Sequence, residues 1–230
     1  MKHLLEESTF FGVLISIAGY ELGLFLKRRL KLTIFNPLLI SILFVIAVLL
    51  VTHVGYDSYN NGARYLSYLL TPATICLAIP LYEQMDLLKN NLKAILTGII
   101  SGVMTSLGSI FLFSILFHFS HAEYATLLPK SITTAIGMGI SEELGGIVTI
   151  TVTVIIVTGV LGNIMAEKVC KIFRIKDPIA KGVALGTAAH AIGTAKAMEM
   201  GEVEGAMSSL AIAVAGLITV IGASVFANFL

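Results

Sequence analysis

A lysine inside an apolar run is the first residue with chemistry to offer. Lys130 follows Pro129 in residues 127–141, LLPKSITTAIGMGIS, and is followed by Ser131, Thr133 and Thr134. A charge at membrane depth is costly and generally faces a cavity or a partner. Proline suits the first position of a helix, where N–H groups lack partners anyway. A half-helix starting here would aim N–H groups and hydroxyls at one spot, an arrangement that favours an anion. Lys130, Ser131, Thr133 and Thr134 thus form a candidate carboxylate-binding set. The competing reading is a lysine that snorkels to the headgroups. Glu142 and Glu143 close the segment. They could pair with Lys130, and Glu142 could carry a coupling proton; two solvated loop carboxylates are the alternative.

The second constellation is residues 182–197, GVALGTAAHAIGTAKA, with Glu199 just beyond. Thr187, His190 and Thr194 would form a polar stripe on a helix, because His190 and Thr194 lie four apart. The small residues around them permit close backbone approach. Lys196 adds a second cation and lies three residues from Glu199, within pairing reach. Histidine titrates near neutral pH, so His190 and Glu199 are candidates for proton coupling. A histidine satisfied by one bond between helices is the alternative. Asn163 is either helix glue or a ligand contact, and Glu202 either faces the site or caps the last span.

Other polar residues offer less. His118 and His121 are spaced as two metal ligands could be but have no third ligand nearby, which suits an interfacial role, so no metal site is expected. Cys76 and Cys170 lie far apart and read as packing residues. No nucleophile elbow, phosphate loop or dinucleotide fingerprint occurs. Only Ser131 with a distant His190 suggests a nucleophile and base. Neither a cofactor nor an enzyme is expected.

The elements that must position these residues follow from composition. Of 230 residues, 57% are hydrophobic and 13% charged, against roughly 45–50% and 25% in ordinary globular domains. The mean hydropathy of +0.93 agrees. A lipid bilayer can face this apolar surface, whereas a soluble chain of this length could not bury it. Net charge is +1, which gives no basic field for nucleic acid. Six runs approach the roughly 20 apolar residues that a spanning helix needs: 9–26, 36–54, 65–82 (interrupted by Pro72 and Pro80), 94–119, 146–166 and 206–230. The expected fold is therefore an all-α integral membrane protein. It has about six spanning helices and two broken or re-entrant segments, within a single transmembrane domain, 1–230.

Basic residues orient the chain. Lys27, Arg28, Arg29 and Lys31 form one cluster, Lys89 and Lys93 a second, and Lys168, Lys171, Arg174, Lys176 and Lys181 a third. All three are expected on the cytoplasmic side of the cytoplasmic membrane. Parity then makes 127–141 enter and leave from the outer side. The C-terminus is outside if 182–197 dips in from the cytoplasm and returns, and inside if it crosses. A faint internal echo links LLTPATICLAIP, from residue 69, with LLPKSITTAIGM, from residue 127, each before a plain apolar span. It brings Thr71 and Thr74 into the candidate substrate set, since paired broken segments mark binding sites in secondary transporters. Chance similarity between apolar stretches is the alternative.

Residues 36–39 (NPLL), 70–82 (LTPATICLAIPLY), 128–146 (LPKSITTAIGMGISEELGG), 182–199 (GVALGTAAHAIGTAKAME) and 205–211 (GAMSSLA) resemble the LrgB/CidB family over nearly the whole chain. Many relatives have Pro in place of Ala135 and Arg in place of Lys196. The first departure weakens a fixed helix break there, and the second keeps charge but loses the planar guanidinium fork. The resemblance implies two roles. One is an antiholin-like regulator of murein hydrolase activity and autolysis, acting beside a small LrgA/CidA-type membrane partner. The other is a transporter of small organic carboxylates of the pyruvate and glycolate class, as in a plastidal relative. The second is the leading expectation, with a homo-oligomer left open.

Overall fold

The computed structural model describes residues 8, 10–30 and 35–230. Helices account for the regular structure, with no strand among the described residues. The chain packs as two compact units, Met1–Cys76 and Leu77–Leu230.

In the first unit, glycines on one helix set the packing. α1 (Phe11–Leu30) buries Gly12, Gly19 and Gly23. A methyl group on Gly19 would come 2.9 Å from the Phe44 ring, and one on Gly23 would come 2.7 Å from the Pro37 backbone. α2 (Pro37–Thr52) therefore lies directly on α1, as small residues allow between membrane helices. Asn36 caps α2 by accepting from the N–H groups of Leu38 and Leu39, at 2.9 and 3.3 Å, and Pro37 takes the first helical position. α3 (Tyr56–Ser67) meets α1 through Tyr59, whose hydroxyl lies 3.0 Å from Ser16 Oγ. α4 (Leu70–Cys76) ends the unit.

The second unit starts with α5 (Ala78–Glu83) and α6 (Met85–Phe117). α7 (His121–Leu127), a turn and α8 (Thr134–Glu143) follow. α9 (Val148–Ile172), α10 (Pro178–Met200) and α11 (Glu202–Phe226) complete it, with a short 3₁₀ turn, Ala227–Phe229. Leu88, Ile95, Ile99, Val103 and Leu107 recur at helical spacing along α6 and form the core with Met207, Ala211 and Ala215 of α11.

By length and composition, four segments can cross a membrane: Tyr56–Glu83, Met85–Phe117, Val148–Ile172 and Glu202–Phe229. Two of the six expected spans, 9–26 and 36–54, do not meet this criterion among the described residues. α2 has 16 residues, about 24 Å of helix against a hydrocarbon core of about 30 Å. α1 carries Glu21, Lys27, Arg28 and Arg29. The expected span 65–82 is broken at residues 68–69 and at Leu77, next to the prolines that cannot complete a helical ladder. Segment 127–141 is divided between the end of α7, a turn and α8, and holds no helix long enough to span a bilayer.

Candidate functional site

Two helical hairpins enter the second unit from opposite ends of α9. In the first, α7 and α8 run antiparallel. Thr151 Oγ1 of α9 lies 2.9 Å from the Thr126 carbonyl and 2.7 Å from Ser141 Oγ, joining both limbs. The Ile147 N–H donates to Thr126 Oγ1 at 2.7 Å. Gly146 allows this convergence, since a Cβ there would come 2.5 Å from Ser141 Oγ and 2.8 Å from the Thr126 nitrogen. At the outer limb, Ser120 and Glu123 form a capping box. The Ser120 N–H and hydroxyl hold the Glu123 carboxyl below the usual carboxylate range. The hairpin tip spans residues 128–133.

The second hairpin lies within α10. Ala189 (φ −129°, ψ 15°) and His190 (φ 42°, ψ −138°) leave helical geometry, and the chain reverses there. A Cβ on Gly193 would come 2.7 Å from the Leu185 carbonyl, whereas eight residues span about 12 Å in a straight helix. The first limb runs parallel to α11: Gly182 meets Glu204 and Met207, and Gly186 meets Ser208 and Ala211. The second limb runs antiparallel to it, with Thr194 Oγ1 2.7 Å from Ser208 Oγ and Met198 against Gly205. The two limbs thus fold back on one another across the break at Ala189–His190.

Both tips reach α9 at the same level. Gly137, just past the first tip, packs against the Ile155 side chain, and His190 Nε2 donates to the Ile155 carbonyl at 3.0 Å. The imidazole rests on Gly159, where an added Cβ would come 2.8 Å from Nε2. Asn163 donates to the Ile192 carbonyl at 2.9 Å, tying the second limb to α9.

A cavity of about 890 Å³ runs beside α6, lined by both hairpins. Its α6 wall carries Asn91, Gly98, Ser101, Gly102, Thr105, Ser106 and Ser109, one face of a helix. Asn91 to Ser109 spans about 27 Å of helix rise, close to the thickness of the hydrocarbon core. Gly98 and Gly102 let α6 approach the first limb of α10, where Val183 and Thr187 face them. Lys130 and Ser131 sit at one end of the lining, and Asp177 belongs to it at the start of α10. Lys130 Nζ donates to Ser131 Oγ at 3.0 Å and Ser106 Oγ at 3.2 Å. No carboxylate pairs with it among the described residues. An ammonium has three donors, so the two hydroxyls leave one for an anion.

The sequence-predicted residues divide sharply. Lys130, Ser131 and Thr187 line the cavity. Thr187 also carries a buried hydroxyl with no hydrogen-bond partner among the described residues. Thr133 and Thr134 are half-buried and outside the lining. The half-helix begins at Thr134 with Thr133 as its cap, not at Pro129 as read from sequence: residues 128–133 form the reversal between limbs, and no helix can start inside it. His190 and Thr194 are buried in helix contacts, and neither lines the cavity. The Thr187–His190–Thr194 stripe is therefore corrected, because the break at Ala189–His190 turns the three residues in different directions. Lys196 pairs with Glu167 at 2.6 Å and with Glu199 at 3.3 Å, away from the lining. Glu142 is exposed and does not pair with Lys130. Thr71 is exposed in the first unit, and the side chain of Thr74 lies outside the described residues. Ser101, Thr105, Ser106, Ser109 and Thr158 went unread. Their signal was the helical spacing of Gly, Ser and Thr from Gly98 to Ser109, masked by the strong apolarity of the run.

Comparison with known proteins places this geometry in context. Residues 16–229 match the model of the LrgB-like family. Over 224 residues, 97% of each chain, the sequence is 39% identical to antiholin-like protein LrgB of Bacillus subtilis (strain 168). Antiholin-like proteins LrgB of Bacillus cereus (strain B4264) and Bacillus anthracis (strain CDC 684 / NRRL 3495) are each 40% identical over 222 residues, 96% of each chain. No solved structure matches the chain.

Proposed function

The chain belongs to the LrgB-like family, and on that premise we propose that it carries small organic carboxylates across the membrane through the cavity between its hairpins. The observation that carries this reading is Lys130. Its ammonium sits at a hairpin tip, on the wall of a cavity long enough to cross much of a bilayer, with hydroxyl partners only among the described residues. A cation at such depth without a carboxylate is a poor structural element and a good anion ligand. Ser106, Ser131 and Thr187 supply hydroxyls in reach of the same space, and the substrate crosses unchanged. Discontinuous helices at a cavity are the usual substrate cradle of secondary transporters. Lys89, Lys93 and the basic residues around Arg174 flank the cavity end formed by Asn91 and Asp177, so the positive-inside rule puts that end in the cytoplasm.

The names of the relatives favour a second reading, an antiholin-like regulator, which would act by membrane assembly. Exposed Tyr56, Tyr65, Tyr68, Leu69 and Ile75 of the first unit offer apolar area for a small LrgA/CidA-type partner.

Uptake of labelled pyruvate, glycolate and lactate into proteoliposomes separates the two. Saturable uptake, abolished in Lys130→Ala, is the expected result. Absence of uptake from folded, inserted protein, with and without the small partner, would remove the transport reading and leave the regulator.

A further inference from the structure

A second pocket, of about 380 Å³, lies where α9 ends and α10 begins, apart from the cavity described above. Its walls carry Lys171, Arg174, Lys176 and Lys181, over a floor that includes Cys170 and Met200. Lys171, Arg174 and Lys176 have no carboxylate partner among the described residues. Lys181 is shared with Glu204 at 3.5 Å. The acid in the lining, Glu167, is already engaged by Lys196. The pocket is thus a concave site with unneutralised positive charge.

Its height is set by the helix. α9 is an apolar segment of 25 residues, long enough to cross a membrane, and its last turn carries the pocket, where a spanning helix of that length leaves the hydrocarbon core. Ile172 and Phe173, 73% and 72% exposed, stand beside Arg174 in the chain. Arg174 has φ 56° and its N–H bonds back to the Lys171 carbonyl at 3.3 Å, which turns the chain from α9 toward Lys176. Favourable interaction with the carbonyl end of α9 accounts for cations here, and the positive-inside rule accounts for their number. Neither requires them to converge on one cavity.

We propose that this pocket seats the phosphate of an anionic phospholipid. The guanidinium of Arg174 matches a phosphodiester's paired oxygens, the lysines supply point charges, and Ile172 and Phe173 meet the acyl chains. Basic pockets between helices at the cytoplasmic face are known to take such headgroups. The proposal is independent of what the larger cavity carries.

The test uses the full chain in neutral detergent. Thermal unfolding is followed during titration with phosphatidylglycerol, with phosphatidylcholine of the same acyl chains, and with inorganic phosphate. Native mass spectrometry counts retained lipid in parallel. Wild type is compared with Arg174→Gln/Lys176→Gln and with Lys89→Gln/Lys93→Gln, which removes equal charge from another basic cluster. Phosphatidylglycerol is expected to stabilise wild type and the Lys89/Lys93 variant beyond phosphatidylcholine, with at least half of that difference lost in the Arg174/Lys176 variant. Equal effects of the two lipids, or an undiminished effect in the Arg174/Lys176 variant, would overturn it. So would stabilisation by inorganic phosphate with none by lipid, which would mark a site for soluble phosphate. If the Arg174/Lys176 variant does not fold, Arg174→Gln alone is read by its retained lipid count, which must fall.

Discussion

The two hairpins of the second unit reach α9 at the same level from opposite ends, yet they use their tips in opposite ways. The first is tied by hydroxyls: Thr126, Ser141 and Thr151 join its limbs. Its tip side chains are free of that task, and Lys130 faces the cavity. The second is seated mainly by close glycine contacts, with Gly182 and Gly186 pressed on the α11 backbone, beside the Thr194–Ser208 hydroxyl pair. Its tip residue His190 sits at positive φ and is committed to α9, bonding the Ile155 carbonyl. Polar ties near a hairpin's base leave the tip for ligand chemistry, whereas steric ties along its length enlist the tip for packing.

The sharpest break of this contrast is at the glycines. Gly186→Leu should prevent folding, because its Cβ would collide with the Ser208 carbonyl and overpacking there costs about 3 kcal/mol or more. Gly139 of the first hairpin has open space where a Cβ would stand, with nothing within 4 Å. Gly139→Ala should therefore change stability by less than about 1 kcal/mol, in the favourable direction. Size-exclusion profiles and melting curves of the two variants check both.

The tips come next. His190→Ala is expected to lose about 1–3 kcal/mol, since the unusual backbone remains while its hydrogen bond is gone. His190→Gly should recover part of this, because glycine accepts positive φ. Lys130→Ala should do the reverse: uptake falls at least tenfold, about 1.4 kcal/mol, with the melting temperature held or raised. If Lys130→Ala unfolds the protein while His190→Ala only stops uptake, the comparison is inverted and the roles must be exchanged.

Thr187→Val gives a smaller effect. The Thr187 hydroxyl has no partner to lose among the described residues, so stability should change by under about 0.5 kcal/mol. A fall in uptake at unchanged stability would mark that hydroxyl as a substrate contact.

The smallest effect is at the start of α7. The Glu123 carboxyl is held below its usual range, so the capping contribution is present above the ordinary carboxylate pKa. It is lost only as pH falls through the depressed value. Protection of the amides at the start of α7, measured relative to their intrinsic exchange rates, should hold at about pH 5 and fall well below about pH 4, and Ser120→Ala should lower it at every pH.

Much of this protein is written locally. Runs of apolar residues specify membrane helices because the bilayer demands satisfied backbone groups over its thickness. Proline, glycine and threonine punctuation marked 127–141 and 182–197 as interrupted, and both are. The Lys130–Ser131 pairing was legible too, since neighbours in sequence share a turn. The partner Ser106, 24 residues earlier, was not, because a hydroxyl in an apolar helix gives little signal until another element faces it.

The sequence by itself determined the membrane class, the family and the presence of two broken segments, since each depends on composition or on residues close in the chain. The tertiary structure alone decided which polar residues share a cavity. A reversal at Ala189 and His190 separated Thr187 from His190 and Thr194. It did so because Gly182 and Gly186 let one limb lie against α11 while Ile155 held the tip. Side-chain direction after such a break depends on what the hairpin packs against, and that information lies in distant parts of the chain.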